Sequence, residues 1–143
     1  FDHRLDEFKK RGVEVIGCSI DSQFTHLAWK NTPINNGGIG QVGYPLVADI
    51  NHAICQAYDV EAAGGVAFRG SFLIDKAGIV QHQVVNNLPL GRNIDEMLRM
   101  IDALQFTEEH GEVCPAGWQK GKKGMTASTD GVAKYLAENA AVL

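Results

Sequence analysis

The sequence of 143 residues predicts an α/β domain in which helices flank a central mixed β-sheet. Two patterns lead to this fold class. Segments with helical periodicity alternate with short β-branched runs, an order typical of a sheet with helices on both faces. A strand–turn–strand pattern at 71–85 then adds an antiparallel pair. Apolar residues make up 45% of the chain, which is enough for a compact core.

The opening segment, FDHRLDEFKKRG, has the periodicity of a helix that is already under way. Phe1, Leu5 and Phe8 recur at helical spacing along one face, and Gly12 is expected to end the helix. The sequence has no initial Met, and neither a capping residue nor a strand precedes Phe1. We therefore expect the N-terminal part of the domain to be missing from this sequence.

The next part of the chain predicts two buried strands separated by a helix and a loop. VEVIGCSI and, further on, PLVAD are short apolar runs of the kind found in buried strands. Between them, Asp21 or Ser22 caps a helix on which Phe24 and Leu27 share a face. The residues after this helix are rich in Gly, Pro and Asn, which predicts a loop.

The second half of the chain predicts a short helix, a hairpin and two further helices. INHAICQAYDV has the length of a short helix, and the hairpin turns at Asp75 to Gly78. Asn93 caps the clearest helix, with Glu96 three residues on. The apolar stripe of this helix consists of Ile94, Met97, Leu98, Ile101 and Leu104. A tail rich in Gly and Lys leads to a short amphipathic helix, DGVAKYLAEN.

Composition excludes several classes of function. The chain has 13 Lys and Arg against 17 Asp and Glu, a net charge of −4, whereas nucleic-acid-binding proteins usually carry a basic excess. No apolar run approaches the roughly 20 residues needed to span a bilayer, and no secretory signal is visible. Three cysteines are too few and too scattered for a secreted disulfide framework, so a cytoplasmic location is expected.

Two motifs with chemical associations are weak in this sequence. GIGQVG matches the dinucleotide-binding fingerprint, but that motif needs a preceding strand and a following helix N-terminus, and neither is predicted here. His52 and Cys55 stand three residues apart on a helix, as a metal-binding pair could. With only two ligands in reach, a buried cysteine beside an ordinary histidine is the favoured interpretation.

The cysteines differ in their predicted surroundings. Cys18 lies inside an apolar strand, where burial raises the pKa of a thiol, so we expect an inert core residue. Cys114 lies in a polar, Gly-flanked segment with Lys120, Lys122 and Lys123 nearby. Positive charge favours the thiolate and exposure favours reaction, so Cys114 is either a redox thiol or a stray surface cysteine.

Two arginines stand where a cation needs a partner. Arg69 directly precedes an apolar strand, and Arg92 lies at the start of a helix, where the helix dipole disfavours positive charge. No acidic residue close to Arg69 in the sequence is an evident partner. Each arginine either points into an anion-binding site or is a solvated surface residue.

Five segments, in order and in register, resemble a typical two-cysteine peroxiredoxin of the alkyl hydroperoxide reductase C or thioredoxin peroxidase type. They are EVIGCSIDSQFTHLAWKNTP, GGIG, FRGSFLID, NNLPLGRNIDEMLR and EEHGEVCPAGW. The resemblance extends over essentially the whole chain. It implies a thioredoxin-like domain at 1–105, incomplete at its N-terminus, and a C-terminal arm at 106–143 that carries the resolving cysteine.

The resemblance also implies roles for three residues. In this family a peroxidatic cysteine attacks the peroxide, and a resolving cysteine of the partner subunit then forms a disulfide with it. Cys114 matches the resolving cysteine. Arg69 matches the arginine that lowers the pKa of the peroxidatic thiol and helps to bind peroxide. Arg92 matches a second arginine of the supporting charge network.

The peroxidatic cysteine itself is not among the matching segments. The family carries it in a Val-Cys-Pro-Thr-Glu segment that opens the helix resembling FDHRLDEF, and this sequence begins after that point. The chain alone is therefore expected to be inactive. The family resemblance implies reduction of hydrogen peroxide and organic hydroperoxides without a metal or other cofactor. Thioredoxin or a dedicated flavoprotein disulfide reductase is the implied reductant, with no nucleic-acid or membrane partner.

The resemblance further implies assembly and regulation. IVQHQVV reads as an edge strand that pairs across an antiparallel homodimer, and such dimers often assemble into a ring of ten. GGIG resembles a loop that packs against a C-terminal Tyr-Phe pair in members sensitive to over-oxidation. Here the pair is Tyr135-Leu136, so weaker packing is expected. Two alternative roles remain open, a chaperone-like holdase and a redox relay that forms mixed disulfides through Cys114.

Overall fold

The computed structural model of the chain describes residues 1–142. The helices are α1 (Leu5–Lys9), α2 (Gln23–Asn31), α3 (Ala53–Ala57), α4 (Ile94–His110) and α5 (Thr129–Asn139). The strands are β1 (Gly17–Ser19), β2 (Leu46–Ala48), β3 (Arg69–Ile74) and β4 (Val80–Asn86). Three short 3-10 helices are found at Asp2–Arg4, Ile34–Asn36 and Ala140–Val142. The order of elements is that predicted from the sequence.

The strands pair two by two within the described residues. β1 runs parallel to β2, with Cys18 opposite Val47. β3 pairs with β4, and the short loop between them makes this pair antiparallel. Both strand directions of the predicted mixed sheet are therefore present. They occur in two separate two-stranded sheets rather than in one continuous sheet.

Contacts divide the chain into two compact units. The first unit comprises 1–72 and 82–92, and the second comprises 73–81 and the residues from Asn93 onward. In the first unit, α1 buries Leu5 and Phe8, as their spacing predicts, and the Phe1 ring lies 5.7 Å from that of Phe8. Gly12 ends this segment at φ +68°, a left-handed conformation that glycine adopts without a steric penalty.

The apolar face predicted for α2 is exposed. Ser22 caps the helix as expected, since its hydroxyl accepts the Thr25 N–H at 3.1 Å. However, Phe24 is 74% exposed and Leu27 58% exposed, whereas His26 is buried. The reason is a polar contact with β1, where the His26 Nε2 lies 2.6 Å from the Ser19 hydroxyl.

The placement of Cys18 in the core is also wrong. The pairing of β1 is confined to Gly17–Ser19, a shorter strand than the apolar run predicts. Along this strand the side chains alternate between two faces, and Cys18 falls on the exposed one.

The second unit is organised by α4 and the β3–β4 turn. Asn93 caps α4 by accepting the Glu96 N–H at 3.1 Å, and the helix buries Met97, Leu98 and Ile101, as predicted. At the turn, one Asp75 carboxylate oxygen accepts the N–H groups of Ala77 and Ile79 at 2.8 and 2.9 Å. The predicted hairpin turn is thereby confirmed.

The helices of the described residues include none with the length and apolar character needed to cross a membrane.

Candidate functional site

Arg69 and Arg92 lie together in the first unit, where backbone carbonyl groups orient both guanidinium groups. The Nε of Arg69, at the start of β3, donates to the Leu88 carbonyl at 3.1 Å. The Nε of Arg92 donates to the Gly70 carbonyl, also at 3.1 Å. Each arginine is therefore fixed to the segment that carries the other. The structure brings together these two residues, which lie far apart in the sequence.

The pair concentrates positive charge at one place on the first unit. Partial burial and then the Arg69 charge lower the pKa of Arg92, while Tyr44 acts in the opposite direction. Neither arginine forms an ion pair with a carboxylate of residues 1–142. A guanidinium has five N–H donors, so each group keeps donors that can reach an anion. The arrangement can therefore stabilise a thiolate or hold a polar oxygen substrate.

Tyr44 and Asp2 complete this charged cluster, and the sequence analysis missed both. Partial burial, followed by the Asp2 charge, raises the pKa of Tyr44, and Arg92 opposes this rise. Its phenol is therefore protonated at neutral pH. Asp2 is held by the Gly43 N–H, which donates to its carboxylate at 2.7 Å. No local motif marks either residue, because the contacts join distant segments.

Cys114 belongs to the second unit, in the segment between α4 and α5. The residue is half-buried, and its sulfur lies 3.6 Å from the Ala103 carbonyl oxygen and 3.8 Å from the Thr107 hydroxyl oxygen. Both contacts are with α4. The thiol thus rests against the side of a regular helix.

The segment around Cys114 is anchored at both ends. Val113 and Met125 exchange backbone hydrogen bonds of 2.9 and 3.0 Å. Trp118 is 3% exposed, and its ring centroid lies 4.8 Å from that of Phe106. The indole N–H donates to the Lys122 carbonyl at 3.0 Å. This part of the Gly- and Lys-rich tail is therefore packed against α4.

The cation beside Cys114 is Arg99, not the predicted lysines. Arg99 forms two hydrogen bonds with Glu96, at 2.6 and 2.7 Å, and donates a third to the Trp118 carbonyl at 2.8 Å. Hydrogen bonding to Glu96 is the main cause that raises the pKa of Arg99, and the charge of a Cys114 thiolate adds to it.

Two of the three predicted lysines have other partners. Lys120 lies 3.3 Å from the Asp102 carboxylate, and Lys123 lies 3.6 Å from that of Glu138. Both lysines are largely exposed, so these are solvent-screened pairs. The structure therefore places Arg99, rather than Lys120 or Lys123, beside Cys114.

The other two cysteines lie in the first unit. Partial burial, followed by the Asp49 charge, raises the pKa of Cys18, as its strand position predicts, although the side chain is exposed. Cys55 is buried, as expected. The expectation of only two metal ligands near it is wrong, because Glu61 joins His52 and Cys55 in one cluster.

Comparison with known proteins identifies the family of the chain. A model of the AhpC/TSA family matches residues 1–83, which is more than half of the chain. The chain belongs to the AhpC/TSA family of peroxiredoxins. A second model, of the C-terminal domain of 1-Cys peroxiredoxin, matches residues 103–138.

The similar proteins found by sequence and by structure are also peroxiredoxins. Alkyl hydroperoxide reductase C of Helicobacter pylori is 61% identical over 139 residues, which cover 97% of this chain and 70% of that protein. The reduced 2-Cys peroxiredoxin of Plasmodium vivax matches with a TM-score of 0.93 and 53% identity over 95% of this chain and 70% of its own. The predicted thioredoxin-like fold is confirmed by these matches.

A third similar structure comes from another Plasmodium species. It is Prx1a of Plasmodium yoelii, modified at its N-terminus, with a TM-score of 0.74 and 58% identity. The match covers 83% of this chain and 69% of that one, and that protein forms an artifactual octamer.

Proposed function

We propose that the chain is part of a thiol peroxidase that reduces hydrogen peroxide and organic hydroperoxides. Membership of the AhpC/TSA family supports peroxidase activity. The observation that carries the residue assignment is the Arg69–Arg92 pair, two guanidinium groups that backbone carbonyls orient and no carboxylate of residues 1–142 neutralises. Such a pair suits a thiolate nucleophile and a polar peroxide.

The proposed reaction has three steps. The peroxidatic thiolate attacks one oxygen of the peroxide, the O–O bond breaks, and the sulfur becomes a sulfenic acid while water or an alcohol leaves. The Cys114 thiol of the partner subunit then attacks the sulfenic sulfur, forming a disulfide and releasing water. A dithiol reductant finally restores both thiols and is itself oxidised to a disulfide.

In this scheme the arginines act on the first step. Positive charge at Arg69 stabilises the thiolate and the negative charge that develops on the departing oxygen. Arg92 adds charge and, through its bond to the Gly70 carbonyl, holds the start of β3 where Arg69 is attached. Tyr44 is a neutral hydrogen-bond donor in the same cluster.

Cys114 is the best resolving thiol of the three cysteines, and Cys18 and Cys55 do not suit the peroxidatic role. Cys18 and Cys55 both have a raised pKa, which lowers the fraction of thiolate at neutral pH. Cys114 is half-buried and forms no strand pairing itself, and Arg99 is its neighbour. We infer that the peroxidatic cysteine lies outside these 143 residues.

The quaternary arrangement is proposed on exposed surfaces. β4 pairs with β3 along one side, and no other strand of residues 1–142 pairs with it. A second copy of β4 suits that side, giving an antiparallel homodimer. The exposed Phe24 and Leu27 of α2 supply an apolar surface for joining dimers into a ring of ten.

Two further parts of the proposal concern the reductant and the domain division. Thioredoxin or a flavoprotein disulfide reductase is the proposed source of electrons for the disulfide. The proposed domain division places a peroxiredoxin domain at 1–105 and an arm that carries Cys114 at 106–143. Helix α4 crosses this boundary, because it continues to His110.

The experiment is disulfide mapping on the full chain as its gene encodes it. After one equivalent of hydrogen peroxide, intact mass spectrometry without reductant is expected to show two chains joined, and with reductant a single chain. Peptide mapping should place Cys114 in that bond. Cys114→Ser is expected to abolish the joined species, and the matched Cys18→Ser variant to retain it. A disulfide that uses Cys18 or Cys55, or a joined species in Cys114→Ser, contradicts the assignment.

A further inference from the structure

We propose that His52, Cys55 and Glu61 form a binding site for a divalent cation of the zinc class. They offer one imidazole nitrogen, one sulfur and one carboxylate oxygen, and these atoms all lie within 4.8 Å of one another. Among the residues that the structure describes, it is the only group of three or more His, Cys, Asp or Glu side chains whose ligand atoms lie close enough to hold one ion. The site lies wholly within the first unit and goes beyond the proposed peroxidase function.

Local structure places the three ligands. His52 immediately precedes α3 and Cys55 lies within it, so the helix sets the spacing of these two side chains. Glu61 follows the helix on a segment fixed by its backbone bridge to Ala67. No ligand therefore depends on a free chain end for its position.

Neighbouring side chains orient the ligand atoms. Gln56 donates to one carboxylate oxygen of Glu61 at 2.8 Å, which directs the other oxygen to the Nδ1 of His52. A group that holds a ligand from behind in this way is a common feature of metal sites. The Cys55 thiol donates weakly to the backbone carbonyl of His52 at 3.4 Å, which holds the sulfur at this end of the helix.

The charge around the cluster favours a cation. Asp49 is buried next to it, where its two carboxylate oxygens accept the N–H groups of Ile54 and Cys55 at 2.9 and 2.8 Å. Two carboxylates, Asp49 and Glu61, thus lie beside one thiol and one imidazole. When a cation binds, the Cys55 thiol loses its proton to solvent and the sulfur becomes an anionic ligand.

The ligand set determines the class of cation. Mixed nitrogen, sulfur and oxygen ligands suit zinc and its spectroscopic substitute cobalt, whereas magnesium and calcium take oxygen ligands. At usual bond lengths, tetrahedral zinc separates a nitrogen and a sulfur ligand by roughly 3.5 Å, so the Cys55 sulfur has to move inward by about 1 Å. His52 and Glu61, which are directly hydrogen-bonded without an ion, have to separate to admit it. The side chains of His52 and Glu61 are 28% and 26% exposed, which leaves a fourth position open to water.

An ion pair alone does not account for the arrangement. A structural contact explains His52 and Glu61, which are directly bonded. It does not by itself place the Cys55 sulfur within 4.8 Å of both groups. A metal site accounts for all three side chains and for the orientation of Glu61 by Gln56.

The test is a cobalt titration of the full, reduced and metal-free chain. Binding is expected to give a thiolate-to-cobalt charge-transfer band at one cobalt per chain, and zinc is expected to bleach it. Cys55→Ser should lose the band, while Cys18→Ser and Cys114→Ser should retain it. This readout involves no peroxide, so its failure and the failure of the proposed peroxidase function are distinguishable.

Two milder variants keep the test decisive if Cys55→Ser fails to fold. Glu61→Gln has the same shape as the native residue, and His52→Asn suits the native backbone, since asparagine tolerates the φ of +62° found there. Each is expected to weaken cobalt binding at least about tenfold, the lower end of the effect of losing even an outer partner. Absence of the band, or unchanged affinity in these folded variants, overturns the proposal.

Discussion

Arg99 of α4 donates a 2.8 Å hydrogen bond to the carbonyl oxygen of Trp118, a short distance along the chain from Cys114. The same guanidinium forms two bonds with Glu96 one turn earlier on the helix. Since α4 is a regular helix, these bonds hold the turn that follows Cys114 against a rigid surface. If Cys114 is the proposed resolving thiol, this turn has to loosen before its sulfur can move away from α4.

The first prediction concerns this anchor. Arg99→Lys keeps the charge but loses the planar fork that binds Glu96 and Trp118 together. We expect the free energy of unfolding to fall by about 1.5–3 kcal/mol, the usual contribution of hydrogen bonds to charged groups. Urea unfolding measures this loss. Hydrogen exchange should also show faster exchange of the amides at 113–118.

The control is Lys120→Gln, which removes an exposed cation of the same region. Its partner is Asp102, but the lysine side chain is 71% exposed, so the pair contributes less than about 1 kcal/mol. If this variant destabilises the chain as much as Arg99→Lys does, Arg99 has no special role in anchoring the Cys114 segment.

The second prediction concerns the arginine pair. In the full chain, Arg69→Ala should slow the reaction with peroxide roughly 100-fold, the scale on which loss of one positioned donor slows an enzyme. The apparent pKa of the reacting thiol should rise, because a cation that favours the thiolate is gone. Stopped-flow measurement of peroxide consumption across a pH series yields both quantities.

Two comparisons separate charge from structure in that measurement. Lys76→Ala removes a cation from the exposed hairpin turn and should leave the rate unchanged. Arg69→Lys keeps a charge without the fork, so it should recover part of the rate. A wild-type rate in Arg69→Ala removes Arg69 from the site.

The third prediction is the pH dependence that Asp75 contributes to stability. Its hydrogen bond from the Ile79 N–H, then that from Gln81, lowers the pKa of Asp75 from its ordinary value of 3.8. A lowered pKa in the folded state stabilises the fold above the unfolded value, and this stabilisation is lost as the pH falls through the folded pKa. Stability from Asp75 should therefore be full at pH 7 and decline below pH about 4.

Asp75→Asn tests this sign. Asparagine retains a turn-forming oxygen but no titrating charge, so the variant should be less stable than the wild type at pH 7. The difference should narrow at pH 3, measured by urea unfolding at both values. Gln81→Ala removes one of the hydrogen bonds to Asp75. In that background, the stability difference that Asp75→Asn makes at pH 7 should be partly smaller. A difference that grows on acidification contradicts the prediction.

Much of the local structure was predictable from the sequence. Ser22 and Asn93 cap their helices and Asp75 organises its turn, as predicted. Three members of the predicted α4 stripe, Met97, Leu98 and Ile101, are also buried. Each of these features depends on residues within about one turn of each other, so the sequence pattern contains the whole interaction. Cys114, Arg69 and Arg92 were singled out by their residue type and position in the sequence, but their roles came from the family resemblance and remain predictions.

The sequence by itself determined the element order, the caps and the family. The tertiary structure decided which residues meet. It turned His26 rather than Phe24 inward, placed Arg99 beside Cys114, and brought Glu61 to His52. The physical reason is that helical or strand periodicity defines the faces of an element but not the partner of each face. That choice depends on contacts between segments distant in the chain, whose geometry exists only after the chain has folded.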